Sequence, residues 1–155
     1  MNKKLLVDVI GFTLIALVVV VGYKLSPLLL PKADVTVQPP SGCDLHRTPC
    51  EVALPGGGSA QFSITPRPIP MVAPLQLEVT VNGREASKVE VDFAGVSMNM
   101  GLNRPELKSV GNGRFSGQGT LPVCITGSMD WRATVLLETA KERIAIPFRF
   151  ASKQG

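Results

Sequence analysis

The sequence predicts an all-β protein: an immunoglobulin-like antiparallel β-sandwich preceded by one N-terminal transmembrane helix. Three observations carry that reading. The opening "LLVDVIGFTLIALVVVVGY", residues 5–23, is nineteen residues of almost unbroken apolar sequence, close to the roughly 20 that cross a bilayer as a helix. Beyond residue 25 the hydrophobic period changes to two, and no long amphipathic helical pattern appears, so the remainder reads as strands. Thirteen prolines and fifteen glycines fall in short clusters, which mark frequent turns between short strands. A closed barrel is the main rival for the same pattern.

The apolar segment sets the compartment. Its only charge is Asp8, near enough to the start for the headgroup region to hydrate it; the alternative is a polar contact to a partner helix. Lys3 and Lys4 precede the segment and Lys24 follows it. The leading cations favour a cytoplasmic N-terminus, Tyr23 suits the interface, and Lys24 can snorkel. A cleavable signal peptide is the competing reading, but the apolar run exceeds the usual ~7–15 residues and no Ala-x-Ala site follows it. The expectation is a cytoplasmic N-terminus and signal anchor over residues 1–24 and a proline-punctuated linker over 25–33. Residues 34–155 then form a domain outside the cytoplasm.

The strands follow in order. "DVTVQ" at 34–38, "CEVAL" at 50–54 and "SAQFSIT" at 59–65 come first, with the glycine-rich "LPGGGSA" joining the last two as a hairpin loop. It is no phosphate cradle, because no helix follows it. "PLQLEVTVNG" alternates cleanly, with Leu75, Leu77, Val79 and Val81 on one face and Gln76, Glu78 and Thr80 on the other. It ends in an Asn-Gly turn, a hairpin signal, so it should pair with "SKVEVDFAG", which turns Val89, Val91 and Phe93 inward. "GRFSGQGTL" at 113–121, "DWRATVLLET" at 130–139 and "RIAIPFRF" at 143–150 complete about eight strands. Trp131 should plug the space between sheets.

Sulfur supplies the candidate chemistry. Cys43 and Cys50 bracket "DLHRTP", and outside the cytoplasm a disulfide closing that loop is the first expectation. The competing reading makes them thiolate ligands or a redox dithiol, with His46, the only histidine, as an exposed bystander or a third ligand. Cys124 is left over in "GTLPVCITGSMDWRA", five residues before Met129. It is either buried and inert or a soft ligand. In "FAGVSMNMGLNRPEL", Met98 and Met100 are one residue apart, a spacing that on a strand puts both side chains on one face. Thiolate and thioether sulfur select Cu(I) over harder ions, so Met98, Met100, Cys124 and Met129 form a candidate copper set, with core packing as the plain alternative. Met71, in "RPIPMVAP", is a more distant candidate.

Other chemistries find little support. The net charge is +4 without basic runs, and aromatics are few, at six Phe, one Tyr and one Trp; neither a nucleic-acid footprint nor a base-stacking platform is visible. No Ser-His-Asp set or flagged carboxylate pair stands out, so no catalytic residue is expected and the chain reads as a non-enzyme. A thiol–disulfide enzyme built on Cys43 and Cys50 would need a low-pKa thiolate at a helix start or beside a cation, and the loop has no predicted helix.

Across residues 89–138 the order "VEVDFAG", "SMNMG", "GNGRFSGQGTLPVC", "GSMDWRATVLLE" resembles the FixH and YtkA-like group of membrane-anchored bacterial proteins. The matching residues are Met98, Met100, Gly113, Phe115, Gly127 and Trp131. The resemblance implies one N-terminal span, a small immunoglobulin-like domain outside it, and an accessory role near respiratory oxidases or copper handling. Two functions follow as expectations: a tethered domain that binds Cu(I) or helps deliver it to an oxidase, and a metal-free module that docks on a membrane protein complex.

Overall fold

The computed structural model describes residues 2–29, 33–122 and 128–153. Two units separate cleanly, residues 1–32 and 33–155. The first is one helix, α1 (Lys3–Leu29). Its stretch from residue 3 to 24 is long and apolar enough to cross a membrane, and none of it is buried in protein. A helix apolar all round and uncovered by protein suits lipid. The helix continues to Leu29, into the stretch that sequence assigns to a linker, where Leu25, Leu28 and Leu29 are strong helix formers.

The second unit is all strand among its described residues. The strands are β1 (Val35–Thr36), β2 (Cys50–Ala53), β3 (Ser59–Thr65), β4 (Leu75–Asn82), β5 (Lys88–Gly95), β6 (Glu106–Gly111), β7 (Arg114–Gly119), β8 (Ser128–Glu138) and β9 (Arg143–Lys153). They form one continuous hydrogen-bonded order, β1-β9-β8-β5-β6-β7-β4-β3-β2. The order folds back on itself as two leaves. The Phe62 ring of β3 is 5.2 Å from the Phe148 ring of β9, although those strands sit near opposite ends of the order. β6 joins the leaves, pairing with β5 at Glu106 and Leu107 and with β7 from Lys108 onward.

Alternation builds the core as expected. Leu75, Leu77, Val79 and Val81 of β4 and Trp131, Ala133, Val135 and Leu137 of β8 are all buried. Trp131 is fully enclosed.

Three expectations need correction. β4 and β5 do not form a hairpin: β4 pairs with β3 and β7, and β5 with β8 and β6. The Asn82–Gly83 turn instead carries the chain from one leaf to the other, because both edges of each strand are taken by other partners. Nine strands replace the expected eight. The additional one, β6, buries only Leu107, so it lacks the alternation that reveals a strand. The first strand shrinks to Val35–Thr36, pairing in parallel with Ile144 and Ala145.

The two outermost strands, β1 and β2, are linked by residues 37–49. Leu45 of that segment is buried in the core, and a Cys43–Cys50 disulfide closes it, with Cα atoms 5.5 Å apart. The cross-link ties the connecting segment to the first residue of β2, the edge strand of one leaf.

Candidate functional site: the methionine-bearing loop end

The loops of residues 66–74 and 96–105, the end of β7, the start of β8 and the end of β9 meet at one end of the sandwich. β5 stops at Gly95. The chain then doubles back alongside it: the Phe93 N–H donates to the Asn103 carbonyl at 2.8 Å, and the Val91 N–H to Pro105 at 3.0 Å. The Val96 N–H donates to the Asp130 carbonyl of β8 at 2.9 Å, and the Asn99 side chain accepts from the Gly101 N–H at 2.9 Å. The loop that carries Met98 and Met100 is thus tied down at several points.

Gly95 organises the sulfurs. A side chain there would collide with the Met129 methyl group, meet the Met98 carbonyl oxygen at 2.5 Å and approach the Met100 Cγ at 3.3 Å. The missing Cβ is therefore the space that Met129 and Met100 share. Met129, on the inner face of β8, is buried; Met100 is half-buried against the core; Met98 is 44 % exposed. Met71 is buried in the neighbouring loop, whose Ile69 carbonyl accepts from Ser152 Oγ, the residue paired with Met129 in β9. Four of the five methionines in the chain thus belong to this end.

The rule of alternate side chains does not apply to Met98 and Met100, because the strand ends three residues before Met98. The loop sends one outward and leaves the other against the core. Cys124 and Gly127 fall outside the described residues. Among the described residues no three His, Cys, Asp or Glu side chains cluster as a metal site.

His46 departs from expectation. Its Nε2 is 2.6 Å from the Ala151 carbonyl and its Nδ1 accepts from the Ile69 N–H at 3.1 Å. The ring also meets Phe150 edge-on at 6.0 Å. Both nitrogens are engaged by backbone, so His46 tethers the disulfide loop to β9 and to the 66–74 loop. The Trp131 indole N–H, on the residue directly opposite Gly95 in the β5–β8 register, has no hydrogen-bond partner among the described residues. The ring is held for its volume.

Gly95 stands in the sequence beside the methionines without a visible role. Its signal, a glycine closing a strand just before the methionines, gains meaning only once Met129 is seen to fill the space above it. No family model and no curated protein matched the chain.

Proposed function

We propose that this chain is a membrane-tethered accessory protein of the bacterial cell envelope that holds Cu(I) through Met98, Met100, Met129 and Cys124. The convergence of Met100 and Met129 at the Gly95 notch carries this reading. Depth adds to it: the three methionines run from buried Met129 through half-buried Met100 to exposed Met98, and a mobile ion needs such a path between solvent and an inner ligand. Thioether sulfur suits the monovalent soft ion. The protein turns nothing over; it holds copper and passes it to a respiratory oxidase under assembly, in keeping with the resemblance to the FixH and YtkA-like group. Lys3 and Lys4 orient the span with its N-terminus in the cytoplasm, and the disulfide suits a periplasmic, immunoglobulin-like domain.

The test is anaerobic titration of the full chain, in a non-ionic detergent, with Cu(I) against a competing chelator. The triple variant Met98→Ala/Met100→Ala/Cys124→Ser should lose about a hundredfold or more in affinity. Gly95→Ala, which removes no sulfur but displaces Met129, should lose about tenfold. Equal affinity in wild type and triple variant removes these residues from the model.

A second reading is a metal-free module that docks on a membrane complex. It draws on the exposed apolar side chains Val72, Val96 and Leu102 on the same loops, Leu102 being 84 % exposed. Val72 also holds a left-handed backbone, φ 62°, a strained state for a β-branched residue. Purification from membranes with metal analysis separates the readings: a stable partner without copper favours the second.

A further inference from the structure

The outer face of the β8–β9 ribbon carries an arrangement unrelated to the methionine end. Arg132 and Arg149 stand directly opposite each other in the β8–β9 register. Both point outward, since Trp131, Ala133, Phe148 and Phe150 beside them point into the core. Like charges so placed repel. Of the eight arginines in the chain, Arg47, Arg84, Arg104, Arg114 and Arg143 form ion pairs, and Arg67 donates to backbone and Ser63. Among the described arginines, Arg132 and Arg149 alone make no side-chain hydrogen bond or ion pair. Neither nearby carboxylate is ion-paired with them among the described residues: Asp92, on β5 diagonal to Arg132, is bound to Arg104 at 3.4 Å, and Asp130, on the outer face of β8, makes no ion pair.

These two guanidinium groups line a groove of about 610 Å³ that contains no acidic residue. Thr134 contributes from the sheet, and Gln38 and Ser41 from the segment between β1 and the disulfide, which forms the other wall. That wall is fixed at both ends, by the Val37 N–H to Ala145 carbonyl bond at 2.9 Å and by Cys43. Beyond Ala145 the edge of β9 is no longer paired with β1. Pro147, which has no N–H to leave unsatisfied, occupies the first open position. By the alternation of the ladder the main-chain N–H of Arg149 faces the same open side. The groove thus presents two guanidinium forks, hydroxyl and amide groups and a backbone donor, with no acceptor of matching charge.

We propose that the Arg132–Arg149 groove is a binding site for a phosphate group. One carboxylate is satisfied by one guanidinium fork, whereas the several oxygens of a phosphate can engage both forks and a backbone donor together. Its source is either a lipid headgroup or a soluble phosphoryl compound. The anion removes the Arg132–Arg149 repulsion, so the pairing that weakens the ligand-free sheet becomes favourable when the ligand binds.

The full chain, in a non-ionic detergent at low salt, is titrated with inorganic phosphate in one arm and with short-chain phosphatidylglycerol in the other, against chloride at equal ionic strength. Saturable binding is expected in at least one arm; saturation by inorganic phosphate assigns the soluble source, and saturation by the lipid alone assigns the headgroup. Arg132→Gln and Arg149→Gln should each weaken binding about tenfold or more, while Arg47→Gln, whose cation already pairs with Asp44, leaves it unchanged. Both groove variants should melt at or above the wild-type temperature without ligand, which shows that they fold. No saturable binding in either arm, equal affinity in wild type and both groove variants, or tighter binding of an oligoglutamate peptide overturns the assignment.

Discussion

The two ends of the sandwich are built on different principles. At the end away from the methionines the turns are short and locked by polar contacts. Leu54 N–H donates to Gly58 O at 3.0 Å, Val81 N–H to Gly113 O at 2.8 Å, and Arg84 bridges Glu142 at 2.8 Å while also reaching the Pro55 carbonyl. Of the large apolar side chains exposed among the described residues of the sandwich, only Val110 belongs to this end. At the methionine end the loops are longer, and Val72, Val96, Met98 and Leu102 are exposed. Apolar groups cost free energy in water, so an end that keeps them out while the other end is closed by hydrogen bonds is the end expected to meet a ligand or partner.

The largest test of that contrast lies within the methionine end. Met129→Ala should cost about 2–5 kcal/mol by removing a buried side chain, whereas Met98→Ala, half in solvent, should change stability by less than about 0.5 kcal/mol. Urea unfolding of the full chain in detergent measures both. Equal losses would mean that Met98 is core and the gradient of exposure is not real.

A smaller effect compares glycines at the two ends. Gly113 and Gly101 both have positive φ, 71° and 78°. A Cβ at Gly113 would press against the Val81 carbonyl, while one at Gly101 meets nothing. Alanine at Gly101 should cost about 1 kcal/mol from the backbone alone, and at Gly113 about 2–3 kcal/mol. Indistinguishable melting temperatures would mean that the locked end is as permissive as the other.

The smallest effect is electrostatic and belongs to the locked end. The hydrogen bond from Lys88 to Glu90, with Glu106 adding to it, raises the Lys88 ammonium above its ordinary value of 10.5, against a smaller opposing effect of burial. A raised lysine contributes stability that is fully present below pH 10.5 and lost as pH climbs through the folded-state value. Lys88 and Glu106 are exposed and Glu90 is half-buried, so solvent screening keeps the effect small. Lys88→Met should lower the melting temperature slightly at neutral pH, where the contribution is fully present, and close the gap to wild type above pH 10.5; identical profiles at every pH would show that Lys88 contributes nothing.

Much of the fold was legible residue by residue. β3 spans Ser59–Thr65 as its alternation predicts, and β4, β5, β8 and β9 fall within a few residues of their sequence-based limits. β6 was hidden because a strand that buries only Leu107 has no periodicity to read. The Asn82–Gly83 turn misled because a turn signal reports local geometry, not which strand comes alongside. The candidate site was legible in composition but not in arrangement. Met98, Met100 and Met129 were identifiable by their chemistry, whereas the Gly95 notch depends on β5 meeting β8 in one register. His46 reads as exposed because nothing near it in sequence bonds its ring; the ring's partners, Ile69 and Ala151, are far along the chain.

The sequence by itself determined an apolar helix of spanning length, a strand-rich domain with a hydrophobic interior, and two cysteines close enough to join, because length, period and spacing are properties of neighbouring residues. Only the tertiary structure decided that Met100 and Met129 share the space beside Gly95 and that Arg132 faces Arg149 above an open groove. Those juxtapositions are set by strand register and by the folding of one leaf over the other, and a one-residue slip in either pairing would abolish them.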